Sequence, residues 1–246
     1  MNIDAYCVLG VEREYDLTAE KLLAALDTAK VDCAVIAPVD RCLAVNNREG
    51  NDFILATAKK HRRRFIPACS VNPWYGKVAR QELKRAIGAG ARILVLHPFV
   101  QGFSANDELV HPLLEIASAE KTPVYIHTGP PGNATPWQLV DLSEQFPEID
   151  FIMGHCGATD FWNDVVPAAQ AAPNIYLEAS LARPFGFASY LAQLGKNRGI
   201  MGSFAPVNDL SFEWEQTRMV LPPEKWDAVY GDNLIRLLEK RGALWS

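Results

Sequence analysis

ARILVLH at 91–97, TPVYIH at 122–127 and IDFIMGH at 149–155 are three short apolar runs, each closed by a histidine. Runs this short and this uniformly apolar read as strands buried on both faces, because a strand with one wet face alternates polar and apolar side chains. Working outward, five more runs match them: NIDAYCVL (2–9), VDCAVIA (31–37), RFIPACS (64–70), NIYLEAS (174–180) and GIMGS (199–203). Segments with helical periodicity separate them near 18–30, 46–62, 76–88, 106–120, 136–146, 161–171, 185–196 and 210–220. Such alternation demands a parallel sheet covered by helices. Eight units in 246 residues point to an α/β fold closed as a single (β/α)8 TIM barrel, which takes roughly 250 residues. The segment 223–241 reads as an extra C-terminal helix or two. No linker, repeat or low-complexity tract interrupts the chain, so 1–246 is expected to be one domain.

Local punctuation supports this reading. Thr18 precedes the first helix with a hydroxyl suited to an orphan backbone N–H, and Pro136 suits a first helical turn. Gly90, Gly195 and Gly199 stand where helices hand over to strands, the place for a left-handed cap. A doubly wound sheet is the rival fold, and its hook would be Gly88-Ala89-Gly90. That fragment precedes a strand instead of following one, so its amides would face the wrong end of the sheet for a phosphate.

Composition excludes several function classes. With 24 basic and 29 acidic residues the formal net charge is −5, so neither nucleic acid nor an anionic membrane surface is an expected partner. The opening MNIDAYCVLG lacks the basic and apolar regions of a signal peptide, and no run is long enough to span a bilayer. Five cysteines, an odd number without a CxxC pair, argue against a disulfide framework and a cysteine zinc site. A cytoplasmic protein is expected.

In a barrel the site forms at the C-terminal strand ends. Of five histidines, His97, His127 and His155 end consecutive strands, whereas His61 and His111 fall on helices and read as structural. Three imidazoles around one cavity suit proton transfer, carbonyl polarisation or metal binding. Arg183 follows the seventh strand and has the fork to grip a carboxylate, or else makes surface contacts. Tyr6 either donates a hydrogen bond into the cavity or fills it, and Glu178 either orients His155 or a substrate or belongs to a structural network.

Taken in order, IDAYCVLG, LHP, YIHTG, GHCG, YLEAS, MGSFAPVNDL and the final DNLIRLLE resemble the amidohydrolase-related family of the amidohydrolase superfamily. The resemblance implies a hydrolase or decarboxylase of small carboxylated or cyclic molecules, with His127 at a metal-binding position and His155 at a catalytic one. The family opens on Asp-x-His-x-His, but here the paired positions are Tyr6 and Val8, both expected to face inward with Cys7 facing out. Where it places an aspartate after Gly-Ser, this chain has Phe204. A catalytic zinc normally takes three protein ligands, so no tightly bound metal is expected.

Three readings follow. One is a metal-free enzyme in which His155 or His127 is the general base or acid and His97 or Arg183 holds a carboxylate or carbonyl oxygen of a small-molecule ligand, with Tyr6 and Glu178 as further ligand contacts. The second is a non-catalytic relative that binds a ligand or pairs with an active homologue, as a homo- or hetero-oligomer. The third is a hydrolase whose zinc or manganese site is rebuilt around His127, His155 and Glu178, Asp160 or Asp209.

Overall fold

The computed structural model describes residues 1–13, 16–130, 132–157 and 160–245. Strand β1 (Ile3–Val11) folds back on a short β2 (Asp16–Leu17) before α1 (Ala19–Ala29). Next come β3 (Cys33–Pro38), α2 (Asp40–Ala44), α3 (Asn47–Lys60), β4 (Phe65–Cys69) and α4 (Lys77–Gly88). They are followed by β5 (Ile93–Leu96), α5 (Pro98–Gln101), α6 (His111–Ala119), β6 (Val124–His127) and α7 (Pro136–Gln145). The last third supplies β7 (Phe151–Gly154), α8 (Val165–Ala171), β8 (Ile175–Glu178) and α9 (Pro184–Leu194). It ends with β9 (Gly199–Ile200), α10 (Leu210–Val220) and α11 (Asn233–Leu238).

From β1 through β3 to β9 each strand pairs in parallel with the next. The barrel closes where the stretch after β9 meets β1: Ala5 N donates to Met201 O at 2.9 Å, Val8 N to Ala205 O at 2.7 Å and Phe204 N to Tyr6 O at 3.0 Å. The eighth run was expected to be a strand over 199–203, but only Gly199–Ile200 is regular. Phe204, just beyond the run, has a left-handed φ of 59°. Gly199 is extended, inside β9, and so is not the cap expected of it. Gly90 and Gly195 do have positive φ past their helices. The expected helix over 106–120 opens with a separate tight turn at Glu108–Val110, and the one over 161–171 starts at Val165.

Side chains sort into two layers, as alternation requires. Tyr6, Val8, Cys33, Val35, Ile93, Val95, Tyr125 and Ile152 fill the barrel, and α11 adds Leu234, Leu237 and Leu238 to that cluster from the end where the strands begin. Cys7, Leu9, Ile36, Leu94, Leu96, Ile126 and Met153 face the helices. The register of β1 slips between Asp4 and Cys7, a bulge that turns both Ala5 and Tyr6 inward. Asp4 is thereby buried, and its carboxylate accepts from Trp214 Nε1 at 2.8 Å, Ser203 N at 3.1 Å and Tyr6 N at 3.2 Å. Among the described residues no helix is long and apolar enough to cross a membrane.

Candidate functional site

Strand ends bring five of the six candidate residues together. Tyr6 on β1, His127 ending β6, His155 just past β7 and Glu178 ending β8 are all buried, and His97 past β5 is partly exposed. Arg183 is the exception. It lies exposed at the start of α9 and has no hydrogen bond or ion pair to the histidines. Of the two other carboxylates considered, Asp209 caps α10 by accepting from Phe212 N and Asp160 is exposed. His61 and His111 pack edge-on against Phe65 and Phe146 on the helical layer, the structural role expected of them.

The buried groups form one hydrogen-bonded chain. Tyr6 Oη lies 2.8 Å from His127 Nε2, His127 Nδ1 lies 2.8 Å from His155 Nε2, and His155 Nδ1 lies 2.7 Å from Ser180 Oγ. Ser180 Oγ donates to Glu178 Oε2 at 2.7 Å. The same Oε2 accepts from Tyr125 Oη at 2.7 Å and His155 N at 3.1 Å, while Oε1 accepts from Ser180 N at 2.9 Å. With the Ser180 proton committed to the carboxylate, His155 Nδ1–H must donate to Ser180. His127 Nδ1–H then donates to His155 Nε2, and the Tyr6 hydroxyl to His127 Nε2. Each imidazole has one donor and one acceptor nitrogen, so this order uses all four ring nitrogens.

Packing holds the chain in place. His127 stacks on His97 with ring centroids 4.0 Å apart and 11° between planes, and Tyr6 stacks on Tyr125 at 4.6 Å. Phe204, partly exposed, tilts over His155 at 4.7 Å and Tyr6 at 5.6 Å. His155 and Cys156 both have left-handed φ, 65° and 46°. The turn aims the imidazole back at His127 while its own N–H reaches Glu178. Two glycines leave the space: a Cβ on Gly154 would meet the Tyr125 ring, and one on Gly202 would meet Glu178 Oε1.

Burial sets the charge states. It pushes His155 down to about 3 and His97 down to about 4, and holds His127 well below the usual imidazole range. Glu178 is raised by burial and held back by its four hydrogen-bond donors. Uncharged imidazoles are therefore the state near neutral pH.

These residues do not fit a divalent ion. Metal binding needs nitrogen lone pairs, yet in this order both acceptor nitrogens take hydrogen bonds and both others carry protons. Glu178 is saturated, and Val8 and Phe204 bring apolar bulk. Among the described residues no group of three or more His, Cys, Asp or Glu is placed to hold a metal.

Ser180, Tyr125 and Asp4 belong to this construction but escaped sequence reasoning. For Ser180 a signal existed, since it follows Glu178 by two residues and shares its face. For Tyr125 there was none, because an aromatic within a strand reads as core.

A family model described as amidohydrolase matches residues 11–239, a stretch that starts beyond Tyr6 and Val8. No protein of curated function matches the chain in sequence. Solved structures match it in fold. An uncharacterised TIM-barrel protein from Bordetella bronchiseptica shares 17% identity over 98% of this chain and 99% of its own, with a TM-score of 0.81. A 5-carboxyvanillate decarboxylase from Sphingomonas paucimobilis shares 16% identity over 97% and 98%, with a TM-score of 0.79. A dihydroxybenzoic acid decarboxylase from a Polaromonas species, solved with manganese and the inhibitor 2-nitroresorcinol, shares 13% over 98% of each chain, with a TM-score of 0.78. Because the matched stretch runs over most of its length and its strands close into the same barrel, the chain belongs to the amidohydrolase family.

Proposed function

We propose that this protein, acting as one domain, handles a small carboxylated ring compound at the mouth of the barrel without a tightly bound catalytic metal. The observation that carries the reading is the closed chain Tyr6–His127–His155–Ser180–Glu178, which engages every ring nitrogen of the two buried histidines. Such a chain can hold and move a proton but offers no lone pair to an ion. His97 and Phe204 stand between it and solvent. His97 Nδ1 accepts from Val100 N at 3.4 Å, which leaves its proton on Nε2 as a donor for a ligand oxygen. Arg183, exposed at the start of α9 after β8, is a cation suited to a carboxylate. The ligand class comes from the decarboxylases of ring acids that share the fold.

Decarboxylation would break the bond between ring and carboxyl carbon, leave the electron pair on the ring, release carbon dioxide and require one proton at that carbon. That proton would come from solvent through His97, the imidazole that stands between the buried chain and solvent. A second reading, a binding protein without chemistry, is favoured by the exposure of only 1% for His127 and 4% for His155.

The test is calorimetric titration with 2,6-dihydroxybenzoate and 5-carboxyvanillate in chelator-treated buffer, with product analysis on the same samples. Binding that survives the chelator and weakens about tenfold in His97→Ala or Arg183→Ala is expected, each lost polar contact to a charged group being worth roughly 1.5–3 kcal/mol. Product formation separates enzyme from binding protein. Binding seen only after manganese is added would overturn the metal-free reading.

A further inference from the structure

We propose that the opposite end of the barrel carries a second site, for an organic anion with a flat apolar body. A cavity of about 900 Å³ opens there, within the range of small-molecule clefts, roughly 300–1,000 Å³. It lies between the end of α3, the start of β4, the turn before β5 and the C-terminal segment.

Lys59, Arg62, Arg63 and Arg92 all line it, and no Asp or Glu does. In a protein of net charge −5 that is a local inversion of sign. Neighbouring cations are neutralised in place: Arg64 pairs with Asp27 at 2.7 Å, Lys240 with Asp150 at 2.6 Å and Arg241 with Glu120 at 3.9 Å. Lys59, Arg63 and Arg92 are in no ion pair among the described residues. Arg92 is partly buried, and among the described residues its Nη2 donates to the carbonyls of Ala243 and Leu244. Burial and the nearby Arg241 hold its pKa below the usual guanidinium range, against the pull of Glu239. Even a partly buried cation is stripped of some water, and an incoming anion offsets that cost.

The remaining walls are apolar. Leu55, Pro67 and Trp245, all partly exposed, supply ring and aliphatic surface over the buried Phe65 and Ile66, so an inorganic ion would use only half the site. The turn that presents the arginines is fixed by hydrogen bonds from Arg64 N and Phe65 N to His61 O, with Arg63 in a left-handed φ of 68°. A positive rim over an apolar, aromatic floor selects an aromatic carboxylate or phosphate, bound by a charge-assisted fork above and stacking below.

The experiment is isothermal titration of the full chain with 1-naphthyl phosphate, 1-naphthoate and neutral 1-naphthol, in wild type and in the double variant Lys59→Glu/Arg63→Glu. Both substituted side chains are exposed, so the variant is expected to fold with an unchanged Tm. Both anions are expected to bind at least about tenfold more tightly than naphthol, to lose about tenfold or more in the double variant, and to weaken with salt. Comparison of the two anions distinguishes a phosphate from a carboxylate ligand. His97→Ala and Arg183→Ala should leave this affinity unchanged, so failure here is separate from failure at the barrel mouth. Naphthol binding as tightly as the anions, anion affinity untouched by the double variant, or no binding at all would each overturn the proposal.

Discussion

Tyr6 shows how a buried phenol occupies the lone pair of a histidine. Turned inward from β1, its hydroxyl donates to His127 Nε2 at 2.8 Å, taking up a lone pair an ion would use. Tyr6→Phe would leave that nitrogen buried without a partner and is expected to cost about 1–3 kcal/mol in urea denaturation. Charge state is testable at the same scale. Nitrogen-15 NMR should show His155 neutral and protonated on Nδ1 at pH 5, consistent with a pKa near 3. Titration near 6 would contradict the buried geometry. Its folded pKa is depressed, so its contribution to stability is whole above the unfolded value of roughly 6.5 and is lost as pH falls toward 3. Glu178, with a raised pKa, works the other way, its contribution being present at low pH and lost as pH rises. Gly202→Ala would press a methyl against Glu178 Oε1 and the Tyr6 backbone, and should lower stability by about 1–3 kcal/mol.

At the scale of elements, β1 and α10 form a latch. Trp214 of α10 is fully buried and reaches the bulged Asp4 at 2.8 Å, where burial has raised the carboxyl pKa. Replacing Trp214 with Phe keeps most of the packing but removes the donor. A loss of about 1–3 kcal/mol in urea is expected, and a change below about 0.5 kcal/mol would mean that Ser203 N and Tyr6 N suffice. This latch was not legible in the sequence, because a one-residue bulge leaves no mark on hydrophobic alternation. The strands themselves were legible, since continuous apolar runs such as ILVL and VYIH record burial on both faces. GIMGS is a regular strand only over Gly199–Ile200, and the backbone turns left-handed at Phe204 just beyond it, a conformation that residue type does not announce. The histidines were legible from their positions after strands. Their mutual hydrogen bonds were not, since spacing says which residues share a barrel end but not which way a ring faces.

For the molecule as a whole, the centre of the barrel is filled by the hydrogen-bonded cluster of Tyr6, His127, His155, Ser180 and Glu178. Function resides in the site carried by a fold, not in the fold, so family membership alone does not restore a metal. The measurement that tests this most directly is elemental analysis after incubation with manganese and zinc and exhaustive dialysis. No stoichiometric metal is expected, with the same Tm before and after loading. About one ion per chain, lost when His127 and His155 are both changed to alanine, would contradict the account and establish a rebuilt metal centre.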